Sequence, residues 1–135
     1  MGEFRRLGFP PLFFLPLHAL EVTNAIRQRA FYLRRSLGSG QRQSIARERD
    51  AGLARIDRWV ARGWLLEVAT DCDAGLLRAR ALSERHTERI GCRGFDLLHV
   101  ALALELKCEA FLTADHVQGD LARAEGLAVS LSTEA

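Results

Sequence analysis

Three acids in this chain of 135 residues stand where a carboxylate can do chemistry as well as face water. Glu21 falls in the opening turns of an amphipathic run, and Asp96 heads a nearly continuous apolar stretch. Asp115 follows the short apolar run Phe111-Leu112-Thr113 by two residues. In folds that alternate strands and helices, ligands sit beyond the carboxyl ends of the strands, where loops and helix N-termini converge. Three carboxylates gathered in an apolar setting repel one another and lose hydration, so such a gathering makes physical sense around a hard cation such as Mg²⁺ or Mn²⁺. Each acid also has a plain structural role open to it. Asp96 can cap a helix, Asp115 can stabilise a turn, and Glu21 can answer the dipole of a helix's first turns.

Other reactive residue types are less informative. His99 lies three residues after Asp96 on the same side of a helix, where it can position a ligand, bind phosphate or hydrogen-bond within the helix. Cys72, Cys92 and Cys108, at spacings of 20 and 16, fit neither a paired disulfide framework nor a CxxC zinc knuckle, and a reducing cytoplasm is their simplest setting. There is no Gly-rich phosphate loop and no Cys/His arrangement for a nucleophile.

The elements that must position these residues follow from hydrophobic spacing. Leu12-Phe13-Phe14-Leu15 is short, apolar and bounded by prolines, which suits a buried strand. Val22, Ile26, Ala30 and Leu33 mark one face of a helix from Leu17 to about Gly38-Ser39-Gly40. A second helix runs from about Gln41 through Ile45, Leu53, Ile56, Trp59 and Val60 to Gly63, with Gly52 as a weak point in its middle. The two are expected to form an antiparallel hairpin. Trp64 to Val68 reads as a second strand. A third helix, capped by Asp71 or Asp73, carries Leu76, Leu77, Ala81 and Leu82 and stops at Gly91. The fourth, Asp96 to Leu106, is apolar nearly all round and is expected to be buried. Ala110 to Thr113 is a strand, followed by a short helix from about Gln118 to Glu125, a stop at Gly126, and a last strand from Leu127 to Leu131. This alternation reads as α/β with a parallel sheet, in a single domain over residues 1–135 with a poorly defined segment at 1–11.

The order and content of these segments resemble a known family. Arg85-His86-Thr87 to Gly91, then Phe95-Asp96-Leu97-Leu98-His99-Val100-Ala101-Leu102-Ala103-Leu104-Glu105-Leu106, then Phe111-Leu112-Thr113-Ala114-Asp115, resemble the second half of a PIN-domain nuclease of the VapC toxin type. Leu17 to Ala25 is similar to that family's helix carrying its second acid. The resemblance covers Leu12 to Leu131. It implies a three-layer α/β/α fold and a Mg²⁺- or Mn²⁺-dependent ribonuclease, commonly the toxin of a toxin–antitoxin pair, with RNA as substrate and an antitoxin protein as partner. It makes Glu21, Asp96 and Asp115 the metal-binding and catalytic acids, with Asn24, Thr113 and His99 as supporting or substrate-positioning groups.

The resemblance departs at its start. Family members open with a central strand bearing the first metal-binding Asp, whereas the only acid here before Glu21 is Glu3, with no strand-like run around it. The expectation is an N-terminally truncated member with impaired activity and unpaired strand edges where the central strand would lie. A catalytically inactive PIN-like module that binds an antitoxin or a second copy of itself is the alternative.

Charge adds to this picture. Residues 1–63 hold 12 Arg and five acids, a formal +7, while residues 64–135 hold six Arg, one Lys and 12 acids, a formal −5. The basic half suits RNA phosphates or an acidic partner helix. Arg5-Arg6 and the apolar run after it resemble a signal peptide, but three prolines and the polar residues His18, Glu21 and Asn24 argue against one. No apolar run approaches the roughly 18–20 residues of a membrane span.

Overall fold

A computed structural model describes residues 10–131; Glu3, Arg5 and Arg6 lie outside them. Ten segments, nine of them strands or α-helices, follow in order: β1 (Leu12–Phe14), α1 (Pro16–Ser36), a 3₁₀ turn (Ser39–Gln41), α2 (Arg42–Ala61), β2 (Leu65–Glu67), α3 (Cys72–Ile90), α4 (Gly94–Glu105), β3 (Ala110–Thr113), α5 (His116–Ala124) and β4 (Ala128–Leu131). All strand pairs are parallel, as the α/β reading requires. They form two separate two-stranded sheets, β1–β2 and β3–β4, where the sequence suggested one sheet. Phe13 stands opposite Leu66, and Phe111 opposite Val129. Each pair closes through its own helical crossover, so every strand is hydrogen-bonded along one edge only among the described residues.

The chain divides into two compact units at Ala69/Thr70. In the first, Pro16 opens α1 at a position where its missing N–H costs nothing. Arg29 pairs with Glu48 and Gly52 faces Ile26, which fixes α1 and α2 as antiparallel. The core here is thin: Leu15, Ala30, Ile45 and Leu65 are its buried apolar residues among those described.

The second unit has a fuller core, built from Ala79 and Leu82 of α3, Leu97, Val100 and Ala101 of α4, Leu121 and Ala122 of α5, with Cys92 and Leu127. The apolar character of α4 is thus explained by burial. Asp71 caps α3, accepting from the Ala74 N–H, and Gly91 ends it in the left-handed region at φ 80°. At the end of α4 that conformation falls on Lys107, at φ 55°, with the Cys108 N–H reaching back to the Ala103 carbonyl. Glu125, just past α5, ties that helix to α3. It takes both a forked contact from Arg85 and a 2.6 Å bond from His86 Nε2, while Arg89 donates to His86 Nδ1. Burial opposes ionisation of Glu125, but the bonds from His86 and Arg85 outweigh it and hold the carboxyl below its usual range.

Candidate functional site

The sequence places the start of the fourth helix at Asp96; the helix begins at Gly94, and Asp96 is its third residue. From there its Oδ2 reaches back to accept from the Arg93 N–H at 2.9 Å, which ends one orphan donor of the helix. The carboxylate is buried, 8% exposed as a residue, and takes part in none of the ion pairs among the described residues. Its charge is met by N–H donors and the positive end of α4. Nearby Cys92 reports that charge: burial, and then the negative field of Asp96, push its thiol upward and keep it protonated.

Asp115 caps α5, which therefore begins at His116, two residues before the start suggested by the sequence. Its Oδ1 accepts from the Val117 N–H at 2.8 Å and the Gln118 N–H at 3.2 Å. Thr113, the buried last residue of β3, accepts the Asp115 N–H at 3.0 Å through Oγ1.

The two acids meet on a residue that sequence reading missed. Gln118 gives its backbone N–H to Asp115 and its side-chain Nε2 to Asp96 Oδ1 at 3.2 Å, while its Oε1 accepts from the Thr113 hydroxyl at 3.0 Å. A signal was present in Asp115-His116-Val117-Gln118, the spacing of a capping box, in which the Gln side chain returns to the cap's own N–H. Here Thr113 takes that N–H, and the Gln118 amide is left to bridge Asp96 and Thr113.

The remaining candidates sit as follows. Glu21 and Asn24, three residues apart on α1, are exposed and belong to the first unit. His99 lies one turn beyond Asp96 on α4 and is half-buried. Among the described residues, no group of three or more His, Cys, Asp or Glu is placed to hold a metal ion. The Asp96–Asp115 pair offers two carboxylates bridged by Gln118, with both Asp96 oxygens and one Asp115 oxygen already accepting N–H donors. Mg²⁺ commonly uses one or two carboxylates and keeps several waters, and a buried carboxylate without an ion pair is the group that gains most from a cation.

In the first unit, α1 and α2 enclose a cleft of about 230 Å³. Ile26, Ala30, Leu33 and Ile45 make it apolar, and Arg29, Arg49 and Arg55 with Glu48 give it a basic rim. Beyond it Phe31 and Tyr32 are exposed in an edge-to-face pair, with the Arg35 guanidinium over Phe31 at 5.5 Å.

Compared with protein-family models, curated proteins and solved structures, the chain matches none.

Proposed function

We propose that this chain is a PIN-like, three-layer α/β/α domain whose chemistry is divalent-metal-dependent hydrolysis of RNA, as the toxin of a toxin–antitoxin pair in the cytoplasm. The observation that carries the reading is the buried Asp96 carboxylate, in no ion pair among the described residues, joined through Gln118 to Asp115 at the carboxyl end of β3. Asp96 and Asp115 are the acids on the second unit, and Glu21, the further acid that the resemblance assigns, lies on the first. A bound Mg²⁺ or Mn²⁺ would supply Lewis acidity toward a phosphodiester and a water of lowered pKa. The chain's own contribution is to hold the carboxylates of Asp96 and Asp115 by hydrogen bonds. Thr113 acts through its hydroxyl, His99 and Asn24 serve as neighbouring polar groups, and the arginines of α1 and α2 supply contacts to RNA phosphates. The apolar cleft with its basic rim suits an acidic amphipathic helix of an antitoxin, and a second copy of the chain is the competing occupant. The three free cysteines are in keeping with a reducing compartment, and among the described residues no helix is long and apolar enough to cross a membrane.

A specific observation favours the inactive binding module as second reading: both oxygens of Asp96 and one of Asp115 are already engaged by N–H donors. Calorimetric titration with Mn²⁺, followed by incubation with single-stranded RNA, separates the two. The nuclease reading expects Mn²⁺ binding that Asp96→Asn weakens and slow Mn²⁺-dependent cleavage that Asp115→Asn abolishes. Cleavage is expected to be slow because no Asp precedes Asp50 in the 135 residues, so the family's first ligand has no counterpart among them. Absence of binding in wild-type protein and mutant alike refutes it.

A further inference from the structure

Two aromatic rings of α1 stand in water, Phe31 at 51% and Tyr32 at 64% exposure. Neither packing nor helix propensity calls for them there. Ala30 is the residue that α1 buries, and aromatic residues rank below alanine, leucine and arginine as helix formers. What the rings touch is each other and a cation. They meet edge to face at 73° with centroids 5.3 Å apart, and the Arg35 guanidinium lies over Phe31 at 5.5 Å. Arg35 thus covers part of Phe31, and Tyr32 keeps more of its ring open to a further flat partner.

The charge around the pair is of one sign. From Val22 to Ser36, α1 holds Arg27, Arg29, Arg34 and Arg35 and no acid. Arg29 pairs with Glu48 of α2, while Arg27, Arg34 and Arg35 enter no ion pair among the described residues. Helical spacing sets Phe31 and Arg35 on the side of α1 turned away from Ile26, Ala30 and Leu33, with Arg27 and Arg34 along one flank of Phe31 and Tyr32 along the other. Arg27 and Arg35, eight residues apart, mark out about 12 Å of basic edge beside the rings.

We propose that this face of α1 binds single-stranded nucleic acid, with a base stacked on Tyr32 and phosphates on Arg27, Arg34 and Arg35. Open aromatic rings beside a cationic track are the two elements that grip a single strand whatever its sequence. A partner helix asks instead for a continuous apolar stripe. Leu20, exposed on the same side of α1, stands eleven residues from Phe31, about 16 Å away, with Asn24 and Arg27 between them. The proposal shares with the nuclease reading only the nature of the strand and rests on none of the carboxylates.

The test uses the full chain and a labelled oligouridine strand, read by fluorescence anisotropy in EDTA, so that neither metal nor cleavage enters. Tyr32→Ala is expected to weaken binding roughly 5- to 150-fold while leaving the slope of log affinity against log salt unchanged, because stacking releases no counterions. Tyr32→Phe keeps the ring and binds as the wild type does. Arg27→Gln and Arg34→Gln each lower the slope by about 0.7. Oligothymidine is expected to bind like oligouridine, since neither stacking nor phosphate contact needs the 2′-hydroxyl, and an abasic strand of equal length binds more weakly than either. Wild-type affinity in Tyr32→Ala, or an abasic strand held as tightly as oligouridine, overturns the platform in favour of charge alone. Binding of oligouridine without oligothymidine overturns it too. An acidic amphipathic peptide that displaces the strand, and whose binding is lost in Tyr32→Ala, makes this a protein-binding face and refutes the proposal. Wild-type chain that holds no strand at low salt also refutes it, and leaves the metal reading to its own titration. Circular dichroism checks folding, and if Tyr32→Ala loses its helices the abasic comparison on wild-type protein decides.

Discussion

The same substitution should have opposite signs at two helical glycines. Gly75 is the fourth residue of α3, buried where that helix meets α4. A Cβ added there would lie 2.5 Å from Leu102 Cδ2, 3.3 Å from its Cγ and 3.7 Å from Leu98 Cδ1. Leu102 is 2% exposed, so its isopropyl group has no open space to swing into. Alanine gains about 1 kcal/mol over glycine in a helix interior, and less near the N-terminus. Overpacking a closed core costs about 1–3 kcal/mol. Overpacking wins, and Gly75→Ala should destabilise by about 1–2 kcal/mol, with a fall in Tm of about 4–8 °C per kcal/mol for a unit of this size. At Gly52 of α2 the added Cβ would meet only Ile26, at 3.4–3.7 Å, which is ordinary van der Waals contact. There the propensity gain is unopposed, and Gly52→Ala should stabilise by about 1 kcal/mol. Urea and thermal unfolding of the full chain, followed by far-ultraviolet circular dichroism, reads both. Gly75→Ala at or above wild-type stability would refute the claim that α3 and α4 are closed on Leu102. A loss at Gly52→Ala would refute the open seam between α1 and α2.

Three more expectations follow from single contacts. Asn and Asp cap helices about equally well, so Asp115→Asn should leave Tm nearly unchanged while weakening Mn²⁺ binding, whereas Asp115→Ala should cost about 1 kcal/mol of stability; equal melting of both variants would contradict the cap. Glu125 is held below its usual range because the bonds from His86 and Arg85 outweigh its burial, so its stabilisation is present above the unfolded-state value and fades as pH falls through the folded one. Glu125→Gln should therefore be less stable at neutral pH and show a flatter acid limb in urea titrations run at successive pH values, and an unchanged slope would count against the cluster. Lys107→Gly should stabilise by about 1 kcal/mol in the same assay, because glycine occupies φ 55° without the steric cost a lysine carries.

What sequence could reveal here was local. The spacing of Val22, Ile26, Ala30 and Leu33 located α1, and the apolar run from Leu97 to Leu102 located a buried α4, because one buried face repeats along a helix. Asp71 or Asp73 and Gly91 bounded α3 because caps act within a single turn, and Asp71 is the one that caps it. Strand pairing was out of reach, since Leu12 meets Leu65 and Ala110 meets Ala128 through crossovers whose closure depends on packing. Lys107 was invisible as a left-handed residue because nothing in a lysine asks for that conformation. Asp96 and Asp115 were legible as carboxylates at helix heads, yet their connection was not. Gln118 lies 22 residues from Asp96, and only the packing of α5 against α4 brings its amide within reach.

Lys107 has a meaning apart from backbone strain. It is the sole lysine beside 18 arginines, and it is exposed just past the end of α4, the helix that carries Asp96 in its first turn. A guanidinium keeps its proton at any pH a cell attains and is untouched by lysine acylation. The guanidinium charges of the arginine-rich half are therefore kept at any cellular pH and lie out of reach of lysine acetylation. Amine-reactive reagents, conversely, find one side-chain target in the sequence, so a probe attached at Lys107 would report on the end of α4 without altering the arginine field.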